Sequence, residues 1–442
     1  AIFIVLTTAA GVALRLVNSI VFSHLFMPEL FGLVALVTTI MIGINLFSHI
    51  GLQESVIQNP RGDDPAFLNT AWTLQLVRSF GMLLAAVAIA WPAARFYHDS
   101  RLAPLLIVLG FTCVIAACSS SSLLSMARHI QVRELTLLEL FAQFVAFVAT
   151  VTWAFFSPTL WALMGGRIIS DVARCFVSYR MMRGVRPRLM WDRSAVREIV
   201  KFGKWILVGT ALTFLASQSD RLILGKLVTL KVLALYGIAY SLSDLPRQII
   251  LQFCSKVGFP FIAKFMESPR PEFRRLLLKY RAPVLLMGAV LLSLTICTGD
   301  LFIARVYDSR YHGAGWMIGI LGLGLWHTLL YSTISPAIFA LQKSHYNALA
   351  QFAYCVTLFV ALPLGYHSYG MLGAVIAVAV SDVPMYVCFL FSAMREGISP
   401  LGQDLLMTLA FIAILAGALA LRHLLGFGLP FPSAAALAAS AR

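Results

Sequence analysis

The chain has 442 residues, 60% of them hydrophobic and only 12% charged, with a mean hydropathy of +0.86. So apolar a composition excludes a soluble globular protein and defines an integral membrane protein. The formal net charge of +15 is no nucleic-acid signature, because the cations gather in alternate loops, as membrane topology requires.

Apolar stretches of about 20 residues, not alternating ten-residue strands, predict an all-α polytopic bundle. In chain order the spans are expected at Ala1–Leu25, Phe31–Leu52, Leu68–Ala94, Ala103–Met126, Leu137–Phe156 and Leu160–Met182. A basic linker follows, then spans at Trp205–Leu227, Val232–Phe261 (kinked at Pro246), Pro283–Val306, Trp316–Leu341, Ala348–Leu364, Met371–Phe391 and Leu405–Leu421. The tail from Phe431 to Arg442 reads as the start of a fourteenth. The chain begins inside an apolar segment without Met, which reads as a trimmed N-terminus, with no cleavable signal peptide.

One set of loops carries Arg61, Arg128, Arg133, the cluster from Arg180 to Lys204, and then Lys264, Arg270, Arg274, Arg275, Lys279 and Arg281. The other set is poor in cations, so the N-terminus and the loops after even-numbered spans are expected on the cytoplasmic side. The basic segments Arg183–Lys204 and Glu267–Arg281 read as amphipathic helices on the inner leaflet, with Val196, Ile199, Val200 and Phe202 facing lipid. The seven cysteines all fall in apolar segments without a Cys-x-x-Cys, which favours buried thiols over disulfides or metal sites. No P-loop, His-Glu-x-x-His or nucleophile elbow occurs, so ATP binding through a P-loop is excluded and no enzyme chemistry, cofactor or metal is expected.

An internal echo points to two related halves. Arg15-Leu16-Val17 precedes Phe31-Gly32-Leu33, and Arg221-Leu222-Ile223 precedes Tyr236-Gly237-Ile238, each with a helix, a short turn, an aromatic-Gly pair and a helix.

The stretch from Leu25 to Leu36 (LFMPELFGLVAL), Gly51-Leu52, and Val56-Ile57-Gln58 resemble the start of oligosaccharide flippases. Phe202-Gly203-Lys204, the run Asp220–Gly225, the run Leu235–Tyr240 and Pro246 resemble the middle of the same family. This is the polysaccharide transporter (Wzx-type) family of the multidrug/oligosaccharidyl-lipid/polysaccharide exporter superfamily, and the resemblance covers most of residues 1–395. It implies two six-helix lobes around a central V-shaped cavity, residues 1–183 and 205–395. The basic linker 184–204 joins them, and one or two extra helices follow in 396–442. It further implies movement of undecaprenyl-diphosphate-linked oligosaccharide from the cytoplasmic to the periplasmic leaflet of a bacterial inner membrane by alternating access. The implied partners are the lipid-linked glycan, the bilayer and a polysaccharide polymerase or other biosynthesis proteins, with no nucleic acid.

The residues that bear on cargo are charges inside the spans, since an arginine at mid-bilayer costs about 2.5–3.5 kcal/mol even on insertion scales. Arg15 lacks an acid on its own helix and is a candidate for an oxyanion, or for an ion pair with another helix. Arg167, Asp171 and Arg174 share one helix face as cavity wall or internal brace. Arg221, beside Asp220, is a structural group, an outer gate or a substrate contact. Asp244 and Arg247 flank Pro246 as a stabilised kink or a hinge. Arg78 and Lys256 are isolated polar residues, and Asp382 and His327 are candidates for a coupling proton. Ser119–Ser122 reads as a small-residue helix surface, for close packing first and sugar contact second. Arginine and lysine outnumber aspartate in the spans, which favours an anionic cargo over the drug cations of a cation-coupled multidrug exporter. Short outer loops disfavour a membrane glycan polymerase.

Overall fold

The computed structural model describes residues 2–129, 131–181, 187–254, 258, 262, 265, 269–341, 343 and 345–431, with only the backbone described at 2–9, 132 and 202–208. The side chains of Phe202 and Lys204, together with Arg183, Arg186, Lys256, Lys264, Glu267 and the tail after residue 431, lie outside the described residues. Every helix and turn described belongs to an all-α polytopic membrane protein. Two compact units divide the chain, Ala1–Phe214 and Leu215–Arg442.

Unit 1 contains α1 (Ile2–Leu25), α2 (Pro28–Phe47), α3 (Leu52–Gln58), α4 (Pro65–Tyr97), α5 (Leu102–Ala117), α6 (Ser122–Arg128), α7 (Val132–Phe156), α8 (Leu160–Arg180) and the first part of α9 (Arg193–Leu227). Unit 2 holds the rest of α9, then α10 (Leu230–Ser243), α11 (Leu245–Phe253), α12 (Arg270–Val306), a 3-10 turn (Ser309–Ala314), α13 (Gly315–Ser332), α14 (Ser335–Ala340), α15 (His345–Arg395) and α16 (Leu401–Leu424). Seven described helices are long and apolar enough to cross a membrane, or eight if the bent pair α5–α6 is one span. Two of the remaining expected spans are present as helices but fall short for identifiable reasons. Three charges, Arg167, Asp171 and Arg174, interrupt α8, and the eighth span is divided at Asp244 into α10 and α11, with Pro246 in the first turn of α11. The helix α15 is one span by count but two in fact. Tyr369 (φ −134°, ψ 18°) and Gly370 (φ 60°, ψ −143°) break it, with Gly370 at a positive φ that an L side chain resists.

The two basic segments differ from expectation. Instead of lying on lipid, the apolar face of the α9 start packs into unit 1: Ala195 and Ile199 are buried with Leu52, Val56, Phe67, Leu68, Ala71 and Leu74. Likewise Phe273 and Leu277 at the start of α12 are buried among Ile334, Ala337, Ile338 and Phe389. Protein covers much of these faces, although Val200 stays exposed, and the cations other than Arg281 stay outside.

The loops of unit 1 are latched together at this end. Arg61 donates to Asp192 (3.0 Å), Ser194 (3.0 Å), Asp64 (3.3 Å) and Glu198 (3.3 Å). Arg128 reaches the carbonyls of Val56 and Asn59 at 2.6 Å each and Asp63 at 2.9 Å. The backbone N–H groups of Arg188, Met190 and Asp192 donate to Asn69, Thr73 and Thr70 of α4 at 3.0–3.2 Å. At the opposite end, where α4 and α7 finish and α8 starts, Trp91, Phe96, Phe155, Phe156 and Trp161 are exposed, forming a girdle suited to a membrane interface.

In unit 2 the sequence placed Arg281 among loop cations, but α12 begins eleven residues earlier and carries it inward. Its side chain is 0% exposed and donates to Asp404 (2.8 Å), Thr333 (3.0 Å), the Leu330 carbonyl (3.1 Å) and Gln403 (3.2 Å). Tyr386 donates to the second Asp404 oxygen at 2.9 Å. At the other end of α16, Arg422 grips both oxygens of Asp300 at 2.6 Å. The helix α16 is thereby joined to α12 by an ion pair at each end, buried at Arg281–Asp404 and partly exposed at Asp300.

Breaking one partner of such a pair strands a buried charge, so Arg281→Ala is expected to cost about 3–5 kcal/mol, and Arg281→Met with Asp404→Leu markedly less. Unfolding in detergent micelles measures this, and equal losses for the two variants contradict it. The latch has a pH signature of its own. Hydrogen bonds from Ser194, and then from Arg61, hold the Asp192 carboxyl down from 3.8 to about 2. A depressed carboxylate lends stability that is complete above its unfolded value and is lost as pH falls through its folded one. Protection of residues 187–194 from hydrogen exchange should therefore decline between about pH 4 and 2 in the parent chain, and Asp192→Asn should remove that decline.

Candidate functional site

The helix α5 does not run on to Met126 as expected. It stops at Ala117 and turns by 71° into α6, and the serine run Ser119–Ser121 supplies the turn instead of a helical packing face. A break inside a membrane frees backbone groups, and each needs a partner. The Ser119 carbonyl accepts from the Trp72 indole at 2.9 Å, the Cys118 carbonyl from the Tyr179 hydroxyl at 2.9 Å, and the Ser120 N–H donates to Ser178 at 2.9 Å. Polar residues of α4 and α8 thus stabilise the break, and the break leaves a hollow beside them.

That hollow is a polar cavity of about 440 Å³ within unit 1, lined by α2 to α8. Three guanidinium groups, Arg78, Arg167 and Arg174, line it against two carboxylates, Asp171 and Glu139. Asn45, His49, Gln53, Gln75, Ser119 and Ser120 add neutral polar groups. Arg78 is fixed by α2, donating to the Asn45 side chain (2.7 Å), the Asn45 carbonyl (3.0 Å) and Ser48 (3.2 Å). On α8, Arg167 donates to Asp171 at 3.0 Å, yet its side chain stays 60% exposed while Asp171 is 5% exposed. Arg174 lies one turn further on, and its Nε is buried without a hydrogen-bond partner among the described residues. The adjoining face of α8 explains its orientation. A side chain at Gly166 would strike Thr150 and the Ala146 carbonyl of α7, and Ser170 donates to the Ala142 carbonyl at 2.7 Å. Close packing on α7 therefore turns the charged face of α8 toward the cavity.

Only three of the candidate arginines share this site. Arg15 is exposed on α1, and its guanidinium donates to the Gly11 carbonyl at 3.3 Å. The other two sit in unit 2, as do both coupling candidates. Arg221 stacks over the Tyr240 ring at 5.7 Å, and neighbouring Asp220 accepts from Tyr236. Arg247 is paired with Asp244, whose other oxygen accepts from Gln248 at 3.0 Å. Asp382 accepts from Thr328 at 2.6 Å and borders a hollow of about 20 Å³ with Tyr240 and Tyr354, space for about one water. The His327 ring lies 3.4 Å from the Gly324 carbonyl. Sequence reasoning missed Glu139, Gln53, Gln75, His49 and Asn45 as cavity residues. Their helical spacing resembles any polar face, and only the α5 break brings them together.

Three guanidinium groups in a wet hollow within apolar helices can hold an oxyanion bidentately while amides and hydroxyls meet neutral polar groups. The fold has counterparts among solved structures. It is similar to the lipid II flippase MurJ in an inward closed conformation, with a TM-score of 0.75, 13% identity, and coverage of 96% of this chain and 92% of that one. It is also similar to an inward-facing multidrug resistance MATE family transporter of the MOP superfamily, with a TM-score of 0.67, 15% identity, and coverage of 87% and 94%. The family model described as polysaccharide biosynthesis protein matches residues 21–316, and the chain belongs to that family. Among individual proteins, it is 24% identical to the amylovoran biosynthesis protein AmsL of Erwinia amylovora over 58% of this chain and 64% of that protein. It is 23% identical to the lipopolysaccharide biosynthesis protein WzxC of Escherichia coli K12 over 62% and 56%. The chain thus spans somewhat less than two thirds of the length of these relatives.

The cavity depends on the α7–α8 approach. Gly166→Val should push α8 away from α7 and leave expression reduced or a lower melting temperature, by about 1–3 kcal/mol of overpacking strain. A melting curve matching that of the parent chain contradicts this packing.

Proposed function

We propose that this chain is a flippase for undecaprenyl-diphosphate-linked oligosaccharide. It carries the headgroup from the cytoplasmic to the periplasmic leaflet by alternating access, for synthesis of a surface polysaccharide. The observation that carries the reading is the cavity of unit 1, where guanidinium groups outnumber carboxylates inside a bundle of apolar helices. Bare transfer of a charged diphosphate or sugar acid through hydrocarbon is prohibitive, and such a cavity replaces its hydration shell. Family membership and the MurJ-like fold support the same reading. Two access states of similar free energy suffice for transport, and no covalent chemistry is required, so the chain acts as a transporter and not as an enzyme. It resides in a bacterial inner membrane with its N-terminus cytoplasmic. Arg15, Arg78, Arg167, Asp171, Arg174, Arg221 and Arg247 are its candidate cargo contacts, and Asp382 and His327 its candidates for proton coupling. The MATE-like fold keeps cation-coupled drug export as the second reading, but a drug cation would meet an excess of like charge in this cavity.

In bacteria lacking their own exporter for the glycan, the parent chain should restore surface polymer. Arg78→Ala and Arg174→Ala should each reduce it about tenfold, the equivalent of about 1.4 kcal/mol, at unchanged protein level. Full export by both variants contradicts the reading, as does resistance to cationic drugs with no effect on surface glycan.

A further inference from the structure

Residues 187–192, between α8 and α9, form no helix, and their backbone is laced along α4. Alternate N–H groups, those of Arg188, Met190 and Asp192, donate to Asn69, Thr73 and Thr70. The lacing leaves Leu189, Met190 and Trp191 exposed in a row. Three large apolar side chains exposed together on one strap call for an apolar cover.

Two helices measure the depth at which the strap lies. Trp91 of α4 and Trp161 of α8 belong to the exposed girdle at the opposite end of unit 1. From Trp91 back to Thr73, and from Trp161 on to Tyr179, each helix runs about 18 residues, or about 27 Å. A hydrocarbon core is about 30 Å thick, so Thr73 and Tyr179 both fall near its second boundary, and Thr73 is the residue that holds the Met190 N–H. Beside Tyr179, Arg180 lies over the Phe176 ring at 5.6 Å, a pairing suited to a membrane interface. The strap thus lies at the level where acyl chains give way to headgroups.

The charge around it is unbalanced. Asp192 is paired with Arg61 at 3.0 Å, and Glu198 with Arg61 at 3.3 Å and Asn59 at 2.6 Å. Arg188, Arg193 and Arg197 are exposed, with no ion pair among the described residues. An apolar tip flanked by unpaired guanidinium groups complements an anionic lipid surface better than a neutral one.

We propose that residues 188–197 are a docking surface for anionic phospholipid in the leaflet on the cation-rich side. Leu189, Met190 and Trp191 enter the acyl boundary, and Arg188, Arg193 and Arg197 gather phosphate headgroups. None of these residues lines the cavity of unit 1, so lipid bound here does not compete for that space. Its effect reaches the latch instead, because the same strap carries Asp192 to Arg61.

Titration of the purified full-length chain in neutral detergent with phosphatidylglycerol or phosphatidylcholine tests the surface. Phosphatidylglycerol should raise the melting temperature by about 2 °C or more beyond phosphatidylcholine. With Arg188, Arg193 and Arg197 all changed to glutamine, melting in phosphatidylcholine should match the parent and the added shift should largely vanish. In nanodiscs, brominated phosphatidylglycerol should quench tryptophan fluorescence more than brominated phosphatidylcholine at equal mole fraction, and Trp191→Phe should remove most of that excess. Should the triple variant melt below the parent in phosphatidylcholine, the nanodisc measurement decides. Equal effects of the two lipids, a shift that survives in a well-folded triple variant, or excess quenching that survives without Trp191 overturns the docking surface. So does inorganic pyrophosphate if it raises the melting temperature as far as phosphatidylglycerol, because the arginines then take free phosphate and not lipid. Neither measurement involves cargo, so failure here leaves the flippase reading standing.

Discussion

Inside a bilayer, a polar group with no partner is expelled or paired, and the arrangement of this chain follows from how each such group is handled. Arg281 with Asp404 and Arg422 with Asp300 are paired and largely withdrawn from solvent, joining α16 to α12. Arg247 is likewise satisfied by Asp244. The arginines of α4 and α8 are handled differently. They face a shared wet hollow, and one of them keeps an unmet donor. The first arrangement gives rigidity, and the second leaves a cation-lined, hydrated hollow.

The hollow exists because α5 breaks. A continuous helix through residues 117–122 would satisfy its own backbone and need nothing from Trp72, Ser178 or Tyr179. Once broken, its carbonyls recruit those side chains, and the 71° turn opens the space that Arg78, Arg167 and Arg174 then occupy. The glycine of α8 at 166 completes the arrangement by drawing that helix onto α7 and directing its charged face inward. Local backbone chemistry, helix packing and the electrostatics of the site are thus one chain of causes.

Much of this was legible in the sequence. Within the described residues, each expected span corresponds to a helix or helix pair, because twenty-residue apolar runs have few alternatives in lipid. The grouping of Arg167, Asp171 and Arg174 on one face followed from helical spacing alone. The serine run is buried and lines the cavity, but as a turn instead of the expected helix surface, because small residues suit close helix packing as well as a turn and periodicity does not separate the two. Arg281 was misplaced because cations near a span end usually snorkel to the interface, and only its distant partner Asp404 draws it inward. Nor could spacing reveal that Arg78 joins the α8 arginines while Arg15, Arg221 and Arg247 do not, since that depends on which helices adjoin.

The central claim is that guanidinium groups inside the bundle carry an anionic, lipid-linked sugar across the membrane. Reconstitution of the purified chain into vesicles loaded with undecaprenyl-diphosphate-linked oligosaccharide, followed by the rate at which headgroups become accessible on the opposite leaflet, tests it most directly. The account predicts accelerated exchange with the parent chain and little above protein-free vesicles when Arg78, Arg167 and Arg174 are together changed to glutamine in a folded protein. Exchange at the parent rate by that triple variant, or none by the parent chain itself, would contradict it.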